Sequence, residues 1–279
     1  MKKIKVLFIM AIVSIFMLTA CYQRDDYYQY ENELQAFKYA YKYNEKEDGY
    51  TLFISQPKYK ENASNRNPIE YSKDLVPFGQ EELVLPSYYE GKPIVRMNVD
   101  VLYGSGSMLN LYRSILDQDK EIKHVVLPQN LKEIGRAAFS GCSSLTSINI
   151  PGSVTKIGIA AFSDCSSLTS ISIPSSVTEI GTEAFSGCGS LTSIRISGWL
   201  DYVGDQIFKD CTALETIELS AFVGVPNVST YFTYPDLNVY IFYSGTIKEF
   251  GERFDFYETG KYTIHCSDGD INVGFWRQK

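Results

Sequence analysis

Histidine and tryptophan are nearly absent from this 279-residue chain, which holds two of each. The two imidazoles, His124 and His265, stand far apart and leave the many serines without a base, so no Ser-His-Asp or Cys-His pattern emerges. No C-x-x-C pair occurs, which removes the common zinc spacing. Asp268-Gly269-Asp270 lacks the loop and the distal glutamate of a calcium hand and reads as a β-turn. Positive charge is scarce as well: 26 Lys and Arg face 33 Asp and Glu, and no basic run concentrates them. A nucleic-acid partner needs such a run to displace counterions from phosphate, and anionic lipid attracts through the same charge. Catalysis, a resident metal or cofactor, and polyanionic partners are therefore not expected.

The chain opens with an address. Lys2, Lys3 and Lys5 precede an apolar stretch, Val6 to Leu18, interrupted only by Ser14. At about 13 residues this is too short to span a bilayer as a helix, which takes about 20, and it has the form of a secretory signal. Leu18-Thr19-Ala20-Cys21 follows and resembles the lipobox of bacterial lipoproteins. That resemblance implies cleavage before Cys21, acylation of its thiol, and a membrane held through lipid; the alternative is a plain signal with a coincidental cysteine. Tyr22 to Glu33 is polar and aromatic without an apolar period and reads as a tether.

What the chain has in abundance is repetition. Cys142, Cys165, Cys188 and Cys211 recur every 23 residues, as do Phe139, Phe162, Phe185 and Phe208. Columns of Gly135, Gly158, Gly181 and Gly204, of Leu145 to Leu214 and of Ile148 to Ile217 keep the same step. The period lies within the leucine-rich-repeat range, and L-x-x-I-x-I matches the strand of that repeat. In Leu145 to Ile150, alternation turns Ile148 and Ile150 to one face and Ser147 and Asn149 to the other. Pro151 and Pro174 end the strand by removing an N–H donor. The segment Ile157 to Phe162 crosses behind, with Phe162 entering the core. Weaker copies begin at Ile122, Val125 and Leu127 and, before them, at Leu83-Val84-Leu85-Pro86 with Gly91 to Val95. Tyr103 to Lys120 is an insertion, read as a loop and a short helix. Leu109 stands where a nucleotide-binding G-x-G-x-x-G needs its last glycine.

The unit Ala137-Ala138-Phe139-Ser140-Gly141-Cys142 to Ile150-Pro151, with its three copies, resembles the BspA-type leucine-rich repeats of bacterial surface proteins. The resemblance covers Glu82 to Phe222 and continues into Tyr240 to Thr246 and Ile264 to Asp270, which are similar to the family's C-terminal ending. It departs at Ser153 and Ser176, which replace the asparagine of the commoner leucine-rich unit, and at Ser197-Gly198-Trp199, where the proline turn is missing. The expectation is an α/β-type solenoid of 23-residue leucine-rich repeats with a concave parallel β-sheet and β-rich caps at both ends.

An open solenoid end exposes core and strand edges and needs a cap. Phe37, Tyr39, Tyr41 and Tyr43 alternate with polar or small residues, Glu45 to Gly49 supplies a turn, and Tyr50 to Ser55 resumes, which predicts a β-hairpin. Asn238 to Tyr243 and Tyr262 to Cys266 read as strands around a short helix, Thr246 to Phe254. The expected organisation is a lipoprotein signal peptide (1–20), a tether (21–35), a hairpin cap (36–81), the solenoid (82–224) and a C-terminal cap (225–279). Column cysteines one strand apart hold their Cβ atoms beyond disulfide range, so Cys142, Cys165, Cys188 and Cys211 are expected as buried thiols.

The outward strand columns are the remaining site candidates: His124, Ser147, Asn149, Ser170, Ser172, Ser193, Arg195, Thr216 and Glu218. Solenoids present such faces to ligands, and BspA-like proteins include surface adhesins. The resemblance implies a surface-exposed, adhesin-like protein that binds a protein or glycan; the outward columns offer Arg195 and Glu218 as its anchors. The lipobox implies export and a lipid anchor, and the lack of a self-pairing interface predicts a monomer. The alternative is a structural or accessory envelope lipoprotein without a host ligand.

Overall fold

A computed structural model describes residues 36–55, 70–71, 76–77, 79–99, 121–220, 238–253 and 261–273. The signal, Cys21, the tether and the 103–120 insertion lie outside these residues. The compact body spans Ala36–Lys279. Its strands, in chain order, are β1 (Ala36–Asn44), β2 (Gly49–Ser55), β3 (Glu70–Tyr71), β4 (Val76–Pro77), β5 (Glu82–Val84), β6 (Tyr88–Tyr89) and β7 (Lys92–Val99). The repeats then supply β8 (His124–Val126), β9 (Glu133–Ile134), β10 (Ser147–Ile148), β11 (Lys156–Ile157), β12 (Ser170–Ile173), β13 (Glu179–Ile180), β14 (Ser193–Ile196), β15 (Tyr202–Val203) and β16 (Thr216–Leu219). The C-terminal region adds β17 (Asn238–Tyr243), α1 (Ile247–Arg253), β18 (Lys261–Cys266) and β19 (Gly269–Val273).

Each coil is a β-solenoid turn that contributes to two parallel sheets. The front sheet takes the L-x-x-I-x-I strands: β5, β8 and β10 form one run, and β12, β14, β16, β17, β18 and β19 another. A hydrogen bond from Thr169 N–H to the Thr146 carbonyl carries the stack across the gap between them. The back sheet runs β7, β9, β11, β13, β15 through strands of only two residues beyond β7. Among the described residues helix is scarce, because the crossing segment is a ladder of turns. There, N–H groups alternate in destination: Ala138, Ser140 and Cys142 bond three residues back, whereas Ala137, Phe139 and Gly141 bond to Ile159, Ala161 and Ser163 of the next coil. This alternation needs left-handed backbone at two repeat positions. Ala137, Ala160, Glu183 and Gln206 hold one of them at φ between 52° and 57°. Gly141, Asp164, Gly187 and Asp210 hold the other, a position where Gly, and less readily Asp, is tolerated.

The core is columnar. Phe139, Phe162, Phe185 and Phe208 stack in order at ring separations of 5.4, 5.5 and 6.1 Å. Beside them, Cys165, Cys188 and Cys211 donate their S–H groups to the carbonyls of Phe139, Phe162 and Phe185 in the coil before, at 3.1–3.2 Å. The cysteine is thus a small apolar residue with one weak donor, matched to a carbonyl at the turn. All five described cysteines are free thiols. Burial pushes the Cys165 thiol up, and the neighbouring Cys211 thiol together with burial pushes Cys188 up. Both shifts favour the thiol over the thiolate. In the native protein, iodoacetamide should leave Cys142, Cys165, Cys188 and Cys211 unmodified while reaching the half-buried Cys266. Unfolding should open all five, and mass spectrometry of the alkylated peptides reads both states. Rapid native labelling of the column would show that the coils open.

Hydroxyl groups extend the ladders. The Ser153 hydroxyl lies 2.7 and 2.8 Å from the Gln129 and Leu131 carbonyls, which share its single proton, and Ser176 donates to that of Val154 at 2.6 Å. Serine therefore takes over part of the inter-coil bonding that an asparagine ladder supplies in the commoner repeat. At the degenerate turn the coil stays in register, since β15 pairs with β13. Gly198 lets it do so: a Cβ there would stand 2.5 Å from the Ser175 carbonyl oxygen. Leu200 fills the buried column of Leu131, Val154 and Val177, and Trp199 turns outward at 54% exposure. On the back sheet, Arg96, Glu133, Lys156 and Glu179 sit side by side with alternating sign. Arg96 pairs with Glu133 and Glu47, and Lys156 with Glu179. The bond from Arg96 holds the Glu47 carboxyl below its usual range.

At each end of the repeats further strands extend one of the sheets. The hairpin β1–β2 forms as the alternation predicts, and β2 joins β7 in parallel, so the cap continues the back sheet. Much of the tyrosine is used here: Tyr41 stacks on Tyr89 at 3.8 Å, with Tyr50 edge-on to both. At the other end β17 and β18 continue the front sheet in parallel, and β19 turns back antiparallel. A capping box starts α1: Thr246 Oγ accepts from Glu249 N–H, and the Glu249 carboxylate accepts from Thr246 N–H.

Candidate binding face

The front strands present two outward columns because alternate residues point inward. Ile148, Ile171, Ile173, Ile194, Ile196, Ile217 and Leu219 are buried, which leaves the residues between them on the surface. The first column runs Glu82, His124, Ser147, Ser170, Ser193, Thr216, Tyr240, Thr263, and the second Val84, Val126, Asn149, Ser172, Arg195, Glu218, Phe242, His265. All nine sequence-predicted residues lie on these columns. They do not converge on one point: His124 and Thr216 are four strands apart, roughly 19 Å at ordinary strand spacing.

Within the columns, two pairs meet. His124 Nδ1 lies 2.8 Å from the Ser147 hydroxyl. Arg195 holds Glu218 through Nε at 2.6 Å and through a second guanidinium nitrogen at 2.5 Å. With side chains 63% and 43% exposed, this pair adds about 0–1 kcal/mol to folding. It is available to a ligand rather than needed by the fold.

The face becomes richer beyond Glu218, where β17 and β18 continue the front sheet. Tyr240 and Phe242 are exposed at 48% and 45%. The His265 ring stacks on both, 5.9 Å from Tyr240 and 4.8 Å from Phe242. Its Nδ1 lies 2.8 Å from the Asp270 carboxylate. A groove of about 500 Å³ opens here, walled by Arg195, Glu218, Phe242 and His265. Its other wall includes Ser197, Ser220, Ser244 and Ser267, each just past the end of its strand. Sequence reasoning missed Tyr240, Phe242 and His265 as site residues. The period-2 alternation of Val239-Tyr240-Ile241-Phe242-Tyr243 carried the signal, but only the parallel pairing of β16, β17 and β18 aligns these residues with Glu218.

The other sequence candidates have structural partners. Asp268 accepts from Ile247 N–H at the start of α1, and Asp270 pairs with His265, so both carboxylates of Asp268-Gly269-Asp270 are engaged by protein groups. Among the described residues no group of three or more His, Cys, Asp or Glu could hold a metal ion, and no helix is long and apolar enough to cross a membrane.

The T. pallidum leucine-rich repeat protein (TpLRR) is similar at 26% identity, with a TM-score of 0.47 over 64% of this chain and 67% of that one. The pneumococcal vaccine antigen PcpA is 19% identical, with a TM-score of 0.38 over 67% of this chain and 56% of that chain. A leucine-rich repeat protein from Bacteroides ovatus is 17% identical, with a TM-score of 0.30 over 84% and 79%. No curated protein matches the sequence. The BspA-type leucine-rich repeat model matches residues 111–252 in six copies, half of the chain, and the phenylalanine, cysteine and glycine columns fall inside that span. The chain is a member of the BspA-type leucine-rich repeat family.

Proposed function

We propose that this chain is a cell-surface binding protein, anchored to the bacterial envelope by lipid at Cys21, whose front sheet takes an adhesin's protein or glycan ligand. One observation carries the reading. An outward column of hydroxyls, Ser147, Ser170, Ser193 and Thr216, leads to two exposed aromatic rings beside an exposed Arg195–Glu218 pair. Exposed aromatics with a nearby arginine are the composition of binding hot spots. The stacked Ile columns beneath hold that surface rigid, which reduces the ordering cost of association. The anchor rests on Leu18-Thr19-Ala20-Cys21, the export reading on the basic and apolar stretches before it, and the monomer on the lack of a self-pairing stretch.

The test uses the full chain in detergent against immobilised matrix glycoproteins, mucins and bacterial glycans, beside the Arg195→Ala/Glu218→Ala double variant. A captured ligand whose affinity falls about tenfold or more in the double variant is the expected result. Unaltered affinity would move the site off this face. Intact-mass analysis should find the mature chain starting at acylated Cys21. Protection from protease added to whole cells would instead favour an accessory role inside the envelope.

A further inference from the structure

We infer that the groove beside β14, β16, β17 and β18 seats a neutral, hydroxyl-rich sugar chain lying across the strands. This deepens the binding reading above and rests on it. The groove of about 500 Å³ has the volume of a small-molecule site rather than of a broad protein interface.

Three features select the occupant. First, Phe242 and His265 line the groove with their rings stacked, and the Tyr240 ring stacks on His265 beside them, so nearly half of Tyr240 and of Phe242 is open aromatic surface. A pyranose ring carries a face of C–H bonds that packs on such a surface while its hydroxyls stay at the rim, so an amphipathic platform is satisfied on both counts.

Second, the charges balance toward neutral or weakly negative. Arg195 and Glu218 line the groove as an ion pair, and Asp270 pairs with the groove-lining His265. These groups offer directed donors and acceptors without a positive field. A sulfated or otherwise acidic polymer would meet repulsion.

Third, the spacing matches. Ser197, Ser220, Ser244 and Ser267 follow the ends of four adjacent front strands, so they recur at roughly 4.8 Å, the interstrand distance. That is close to the length one pyranose adds to a linear chain, and successive sugars would each meet one serine. An extended peptide repeats its same-face side chains at roughly 6.7 Å, out of step with the serines. Its backbone also needs an open strand edge, and β14, β16, β17 and β18 are each paired on both sides.

The test is calorimetric titration of the full chain in detergent with linear neutral hexasaccharides of glucose, N-acetylglucosamine, mannose and galactose, beside a heparin hexasaccharide. At least one neutral chain should bind and heparin should not. The affinity should fall about tenfold or more in Phe242→Ala and in Tyr240→Ala and stay unchanged in Lys156→Ala on the back sheet. Both aromatic side chains are nearly half exposed, so neither variant should shift the melting curve. Binding of no neutral chain, stronger binding of heparin, or affinity indifferent to both aromatic variants would overturn the inference. If a matrix protein were held and then lost in the Arg195→Ala/Glu218→Ala variant while every sugar failed, the sugar would fall and the binding face would stand. Failure of both ligands would remove both.

Discussion

Phe162→Ala should lower the stability of the body by about 3–5 kcal/mol, read as a fall of roughly 6–20 °C in its unfolding temperature. The ring is fully buried and lies between Phe139 and Phe185 at 5.4 and 5.5 Å, nearly parallel to both. Truncation leaves a void that neither neighbour can fill, because each is held in its own coil by backbone bonds. Phe139 N–H donates to Ala161 and Phe185 N–H to Ile207. The loss should exceed that of its volume alone, since coil-to-coil contact is what stabilises a solenoid. Phe162→Leu should recover part of it. An unchanged melting curve for Phe162→Ala would show that the phenylalanine stack does not hold the coils together.

The second large effect comes from a single added methyl group. A Cβ at Gly181 would stand 2.4 Å from Ile159 N and 2.6 Å from the Gly158 carbonyl carbon, both backbone atoms of the coil above. Relief requires separating β11 from β13, whose register sets Ile157 against Ile180. Gly181→Ala should therefore cost about 3 kcal/mol or more, at the upper end of overpacking. Gly152 is the internal control: it is exposed, nothing lies within 4 Å of its notional Cβ, and its backbone is not left-handed. Gly152→Ala should be neutral or stabilising by about 0.4–1 kcal/mol, through a less flexible unfolded chain. Circular-dichroism melting of both variants decides the matter. Equal effects would show that the glycine column marks no close approach between coils.

These columns also mark how far the sequence could be read. A 23-residue period places every coil at an equal step, so residues that recur in a column must stack on themselves. Phe162, Cys165 and Gly158 could be assigned inward or close-packed on that ground alone. The alternation in Ser147-Ile148-Asn149-Ile150 likewise set which side chains face solvent. The back sheet was harder to see: its strands are two residues long, and no alternation is visible in Lys156-Ile157 alone. The turn ladder was hidden for a related reason. Left-handed backbone at Ala160 and Glu183 runs against the preference of those residue types and is imposed by inter-coil bonds.

The site divides along the same line. Sequence determined the fold family, the hydroxyl columns and the Arg195 and Glu218 positions, because local periodicity is enough to orient a side chain. Tertiary structure decided what those positions border. Tyr240 follows Thr216 by 24 residues and Thr263 follows Tyr240 by 23, but the phenylalanine, cysteine and glycine columns end at Cys211, before either strand. Strand pairing is a long-range hydrogen-bonding choice, made by backbone groups that are the same in every residue. Only the assembled sheet sets Phe242 beside Glu218 and His265 beside Phe242, and so turns a polar face into a groove with an aromatic wall.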